Sequence, residues 1–331
     1  MNANIEKLLC GNCMDLEKYK YEIEQVEREV NGEIIPFNRM YAVCNNCGSR
    51  ITVPGLDDIN EKAFERMYRK RYGYIQVDEI ESIIKKYDIE KRPLSKLLGL
   101  GEHTIENYLK GQLPSKKYSD MLRLVLYNHK IMNEYLRKNR DSVTVKAADH
   151  VEEALKYLDC INSVNTKIDK VAHYIAMSAY EITNMSMQKL LYYVDGFAQV
   201  LLGRNIFADN CEAWAHGPVF PNIYKKFKSF GNDQIKVESI AIPDLVDEEE
   251  KRVIDTVLSA FAIYNGVFLR NLTHLETPWK EARKGYEEYD RCNNIIPKES
   301  IGNYFNKINS KYSLSRIECV RQYIYDTIGR A

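Results

Sequence analysis

The sequence predicts a multidomain, mainly α-helical protein. A small β-rich module comes first, then a run of short helices, then a mostly α-helical C-terminal half with a short β element. Three observations carry this reading. A chain of 331 residues exceeds one ordinary core. Its first 47 residues hold two C-x-x-C pairs, Cys10/Cys13 and Cys44/Cys47, with β-favouring residues between them. Beyond residue 60, apolar residues recur at helical spacing and glycines fall at the breaks.

The cysteine pairs come first in the chain. Two residues inside each pair let both thiolates turn toward one metal, and two such knuckles complete a tetrahedral site. Gly11 and Asn12 in the first pair, and Asn45, Asn46 and Gly48 around the second, are turn residues. The remaining cysteines, Cys160, Cys211, Cys292 and Cys319, are not paired at this spacing. A redox C-x-x-C or a disulfide framework is the competing reading. Four sulfurs leave no open position, so one structural zinc ion per chain is expected at Cys10, Cys13, Cys44 and Cys47. Tyr19–Glu29 and Gly32–Val43, separated by Asn31-Gly32, predict a hairpin inside the module. Its core is too small to stand alone, so metal binding and folding are expected to be one event.

Hydrophobic content of 45% and charged content of 28% describe a globular chain, and no apolar run reaches membrane-spanning length. Together with the thiolate site this predicts a cytoplasmic protein with no membrane partner. Net charge is zero, yet unevenly spread. Residues 1–60 carry 6 Lys/Arg against 10 Asp/Glu, residues 61–130 carry 15 against 10, and the remainder 26 against 27. If any part of the chain touches phosphate, it is the middle segment.

Pro54-Gly55 closes the first module, and Ala63, Phe64, Met67 and Tyr68 mark a helix with basic Arg66, Arg69, Lys70 and Arg71. Helices are predicted at Val77–Tyr87, Lys91–Leu98, Glu102–Lys110 and Ser119–Tyr135, with breaks at Gly99, Gly101 and Gly111. Leu94, Leu97 and Leu98, the turn Gly99-Leu100-Gly101, and Ile105 with Leu109 have the layout of a helix-turn-helix. At 100° per residue, Ile105, Tyr108 and Leu109 face inward, leaving His103, Glu106, Asn107 and Lys110 outside. Asn107 suits adenine and Glu106 suits cytosine, while His103 or Thr104 reaches a base or phosphate. Lys110, Lys116 and Lys117 are expected near the DNA backbone. The outward face carries no arginine. A polar stretch near 140–150 and a helical pattern over 146–160 make a connecting segment.

The C-terminal half is rich in aromatics at helical spacing, including Tyr174, Tyr180, Leu190, Leu191, Tyr193, Phe197 and Leu201. Glu212–Val219 reads as a strand running into a turn, and Pro221 opens a helix carrying Tyr224 and Phe227. Leu272–Trp279 again sets imidazole, proline and tryptophan in a turn before a helix. His216 or His274 with Glu212 or Glu276 offers acid–base groups, but neither histidine has metal-ligand spacing. No phosphate loop or nucleophile elbow is present, so no catalytic residues are assigned and both histidines are expected to be packing residues.

Two resemblances follow from these residues. The C-x-x-C, hairpin, C-x-x-C, basic-helix order, with Leu97–Gly101, Thr104-Ile105, Tyr108, Gly111 and Pro114-Ser115, resembles the MqsA (YgiT-type) antitoxins over about residues 8–137. This resemblance implies a structural zinc, a five-helix Xre-type helix-turn-helix domain, operator DNA binding by the helix near Glu102, and a homodimer. Met187–Tyr193, Ala213–Val219, Tyr224, Thr273-His274 and Pro278-Trp279 resemble the Panacea (SocA-like) domain. That implies an antitoxin domain that neutralises a protein toxin encoded beside it, with Leu190, Tyr193, Trp214, His216, Gly217, Pro218, Tyr224, His274, Pro278 and Trp279 as its signature. The expected layout is 1–58 zinc module, 59–138 helix-turn-helix, 139–166 connecting helix and 167–331 Panacea domain. The function expected is that of a type II antitoxin that binds its cognate toxin and represses its own operon. A transcriptional regulator with a sensing C-terminal half, a proteolytic adaptor and an enzyme using His216 or His274 are the competing classes.

Overall fold

The structure, a computed structural model, describes residues 7–329. The chain divides into two compact units between Lys156 and Tyr157.

In the first unit, β1 (Leu8–Cys10) and β2 (Asp15–Glu17) form an antiparallel pair around the first cysteine turn. The twelve-residue strands β3 (Tyr19–Val30) and β4 (Glu33–Cys44) pair in register from Tyr19↔Cys44 to Val30↔Glu33. Asn31 (φ 53°) and Gly32 (φ 80°) are both left-handed, as a two-residue type I′ turn requires. A short β5 (Arg50–Ile51) extends the sheet beside Ala42 and Val43. Helix α1 (Leu56–Arg71) packs Phe64 onto Ile35 and Phe37 of β4. Asn60 continues the strand edge beyond β5, accepting from Met40 N at 2.8 Å and donating to Met40 O at 2.9 Å. Arg28 forks onto Glu61 at 2.7 and 2.9 Å, with its guanidinium 4.1 Å over the Phe64 ring.

Five helices follow: α2 (Val77–Lys86), α3 (Lys91–Leu97), α4 (Thr104–Leu109), α5 (Lys116–Tyr127) and α6 (His129–Asn139). They enclose Ile80, Ile83, Leu94, Leu97, Ile105, Leu122, Val125 and Met132. Three buried polar groups hold the loops. Arg69 donates to the carbonyls of Ile75, Gly111 and Gln112, Ser119 Oγ accepts from Ile75 N, and Ser95 Oγ accepts from Ile105 N. One sequence expectation fails here: residues 119–135 are not a single helix. Asn128 is extended (φ −139°, ψ 104°) and its side chain accepts from Lys130 N, capping α6 afresh. Helix α7 (Val145–Asn162) carries the boundary between the units.

The second unit is built around α9 (Asn184–Leu201), buried on every side from Ser186 to Ala198, which follows α8 (Lys167–Ser178). Next come β6 (Cys211–Trp214), β7 (Gly217–Val219), α10 (Pro221–Phe227), α11 (Ile242–Leu245), α12 (Glu248–Phe261), α13 (Gly266–Leu275) and α14 (Thr277–Ala282). Then β8 (Ile295–Ile296), α15 (Lys298–Tyr312) and α16 (Ile317–Ile328) complete the chain. Helices α8, α10, α12, α13 and α15 pack on α9, and the sheet order is β7-β6-β8. Strand β8 has no counterpart in the sequence reading, which expected one short β element. Tyr180, expected in the core, is 81% exposed just beyond α8. No described single helix is long and apolar enough to cross a membrane.

Candidate functional site

The four N-terminal sulfurs converge. Cys10 Sγ lies 3.5 Å from Cys47 Sγ, Cys13 Sγ lies 3.9 Å from Cys44 Sγ, and all four fall within 4.8 Å of one another. Tetrahedral thiolate coordination at Zn–S of about 2.3 Å needs S···S edges of about 3.8 Å. The set therefore fits a four-coordinate metal ion. Cys10 and Cys44 are buried with Ile51 at the centre of the module, so the sulfurs themselves are its core. The supporting shell is polar. Asn46 directs its backbone N–H at Cys44 Sγ (3.4 Å) and its amide at Cys13 Sγ (3.6 Å) and Glu17 (2.8 Å). Hydrogen bonds from Ser49 and Asn12 bring the Cys47 thiol down to about 5, so one ligand is readily a thiolate. Cys13 is driven the other way, first by its contact with Cys47, because adjacent sulfurs cannot all ionise without a cation.

The helix-turn-helix candidates lie on or beside α4 and at the start of α5. Gly99 (φ 71°) turns the chain after α3, with Leu100 N donating to Ser95 O at 2.8 Å. On α4, Ile105 and Tyr108 are buried, His103, Asn107 and Lys110 are exposed, and Thr104, Glu106 and Leu109 are half-buried. The outward residues do not offer free charge. Glu106 accepts from Lys110 Nζ at 2.8 Å and lies 3.5 Å from His103 Nδ1, and these contacts, Lys110 first, hold its carboxyl below the usual range. Lys116 turns toward Gly73 O (2.7 Å) and Asp120 (3.5 Å), while Lys117 stays exposed.

In the second unit the site grows from the two-residue turn between β6 and β7, where Trp214 pairs with Gly217. Gly217 is left-handed (φ 95°), and a Cβ there would meet Lys189 Cε at 2.8 Å and Thr273 Oγ1 at 2.9 Å. The indole of Trp279 donates to Trp214 O at 3.0 Å, and Arg283 donates to Ala213 O at 3.0 Å, fixing the hairpin to α14. His274 stacks on Trp279 at 3.8 Å, Trp214 meets Tyr224 edge-on at 4.9 Å, and Pro218 O accepts from Lys189 Nζ at 3.0 Å. Pro278 is buried at the start of α14. Leu190 and Tyr193 belong to the core behind, with Tyr193 stacked 4.0 Å from Phe261. Trp214, His216, Gly217, Pro218, Tyr224, His274 and Trp279 thus meet around one hairpin. His274 packs as expected, but His216 is exposed, because a two-residue turn projects its central side chain away from the sheet.

Three buried charged residues lie here: Lys189 and Arg283 had no role in the sequence reading, and Glu276 appeared there only as an acid–base partner for the histidines. Lys189 is fully buried, and desolvation, ahead of nearby Arg270, lowers its ammonium to about 7. Glu276 is also fully buried and accepts from Tyr193 OH at 2.9 Å and Tyr323 OH at 2.5 Å. Burial raises its carboxyl to about 7 against those bonds. Arg283 is spent on backbone carbonyls. The available sign was a charge inside the apolar run Met187–Val194, and another between Leu275 and Thr277.

Glu276 gives a pH prediction. In the unfolded chain it ionises near 4.5 and in the fold near 7, so between those values the fold holds a proton that the unfolded chain has lost. Its contribution is fully present at low pH and is lost as pH rises to 7, by roughly 3 kcal/mol at about 1.4 kcal/mol per unit. Buried His173 and His274, both lowered chiefly by desolvation, act oppositely in the same window, so the variant comparison isolates the carboxyl. Glu276→Gln is expected to match wild type in urea unfolding near pH 4.5 and to exceed it at pH 7.5. Parallel pH profiles for the two proteins would rule this out.

No curated protein and no solved structure matches the chain. The family model for the SocA-like antitoxin, Panacea domain, matches residues 187–280, within the span 167–331 expected from the sequence. The chain therefore carries a Panacea domain from the middle of its second unit, built on α9, the β6–β7 hairpin and α12–α14.

Proposed function

We propose that this protein is a type II antitoxin that neutralises a cognate protein toxin by covering it with the Panacea domain and represses its own operon through the first unit. The observation that carries the reading is the Panacea match over residues 187–280. Neutralisation by occlusion needs an interface with aromatic anchors and no chemistry. Half-buried Trp214 and Tyr224 beside exposed His216 supply such a surface on a rigid hairpin. The four-cysteine site holds a structural zinc ion, and α4 enters the major groove of operator DNA as part of a homodimer. Support for the DNA role is the outward face of α4 and the local basic excess over residues 61–130.

The test is co-expression of the full chain with the protein encoded by the adjacent gene. Growth rescue and a stable complex are expected. Tyr224→Ala with His216→Ala is expected to weaken that complex at least tenfold. Asn107→Ala with Lys110→Ala is expected to reduce operator retention, with a shallower salt dependence, while leaving the toxin complex intact. Failure of any complex to form removes the antitoxin reading, and equal loss of both activities in either variant removes the division between units.

A further inference from the structure

We propose that the basic cluster under the β6–β7 turn is a binding site for a phosphate-class oxyanion, either phosphate itself or a phosphate monoester. The inference is independent of toxin neutralisation. Arg270, Thr273 and His274 lie one turn apart on α13 and so share a face. Gly217 brings that face against α9, since its missing Cβ leaves room for both Thr273 Oγ1 and the Lys189 Cε–Nζ end. His216 projects from the same turn, and the Trp279 indole that carries the His274 ring is anchored at Trp214 O, two residues before His216.

The group has donors and almost no acceptor. Arg270 Nε and His274 Nε2 are buried with no protein partner. Lys189 is buried and donates only to Pro218 O, and Thr273 Oγ1 donates to Arg270 O at 2.8 Å. One carboxylate reaches the cluster among the described residues, Glu288 at 3.4 Å from Arg270 NH2, and it is 59% exposed. Glu276 points into the tyrosines instead. Arg270 holds the cluster's permanent charge: burial first, then neighbouring Arg270, disfavours the charged forms of His274 (to about 4) and Lys189 (to about 7), and partial desolvation with Arg270 does the same to His216 at the rim. A buried guanidinium Nε–H with no acceptor is costly until an anion lies against it, and an anion there favours the protonated forms of Lys189, His216 and His274 around it. A cation would meet the Arg270 guanidinium with only exposed Glu288 beside it to balance the charge. A lone carboxylate is satisfied by one planar guanidinium fork, whereas donors from α9, α13 and the turn suit the several oxygens of a phosphate.

The experiment titrates the full chain with sodium phosphate, and separately with sodium acetate, at constant ionic strength. The readouts are the imidazole C–H resonances of His216 and His274 and the unfolding midpoint. Saturable shifts of both rings and a raised midpoint are expected with phosphate, with acetate at least tenfold weaker. Arg270→Gln is expected to weaken binding at least tenfold and exposed His216→Gln severalfold. Lys228→Gln, an equal charge loss elsewhere, is expected to change nothing. The proposal is overturned by the absence of saturable shifts, by acetate binding as tightly as phosphate, or by an unchanged response in Arg270→Gln. Should Arg270→Gln not fold, unchanged phosphate affinity in His216→Gln overturns it as well.

Discussion

On the zinc reading proposed above, Cys44→Ser is expected to abolish the one equivalent of metal per chain and to unravel one end of the β3–β4 hairpin while sparing the other. Cys44 is the last residue of β4, and its sulfur is packed with Cys10 and Ile51 where a side-chain core would otherwise be. Leu8, Cys13 and Tyr19 pack against that cluster but are only half-buried. Structural zinc supplies on the order of 10 kcal/mol of coupled binding and folding, and nothing else at this end replaces it. The far end has its own support, because Phe64 of α1 covers Ile35 and Phe37, Arg28 forks onto Glu61, and Asn60 grips Met40. Native mass spectrometry should therefore show metal loss. Amide exchange should rise at Cys10–Tyr19 and Val43–Ile51, with Ile35–Phe37 still protected. Retention of a full metal equivalent, or uniform exchange along the hairpin, would refute this account.

The contrast between the two ends reflects what was legible in the chain. The knuckles and the hairpin were readable, because C-x-x-C spacing and Asn-Gly each impose a local geometry that little else satisfies. The inward face of α4 was readable from its period. The break at Asn128 was not, since a capping side chain inside an apolar pattern gives no change of period. Nor was the neutralisation of Lys110 by Glu106, which depends on side-chain rotamers. In the second unit the hairpin residues could be listed from sequence, but their meeting point could not. Lys189, Arg270 and Glu276 lie 87 positions apart at the extremes, and only the packing of α13 on α9 brings them near Gly217 or the tyrosines.

The packing of α15 on α9 sets a second large expected effect on stability. Gly196→Ala is expected to destabilise the second unit by about 3 kcal/mol or more, against a helix-propensity gain of about 1 kcal/mol. Gly196 lies on α9, and a Cβ there would run into Cδ2, Cε2 and Cγ of Phe305 on α15. That ring has nowhere to go. It is fully buried, and its centroid is 5.7 Å from Tyr192, 6.0 Å from Tyr193 and 5.6 Å from Phe197. Gly302 on α15 is the natural control. Its Cβ would meet Gln199 Oε1, the far end of a flexible side chain, which can swing aside. Gly302→Ala is thus expected to stay within about 1 kcal/mol of wild type. Phe305→Leu should relieve the clash, so Gly196→Ala with Phe305→Leu is expected to lose less than the sum of the two single changes. Urea unfolding of wild type and the four variants decides it: additive losses, or equal costs at Gly196 and Gly302, would show that the close approach of α9 and α15 is not what requires glycine.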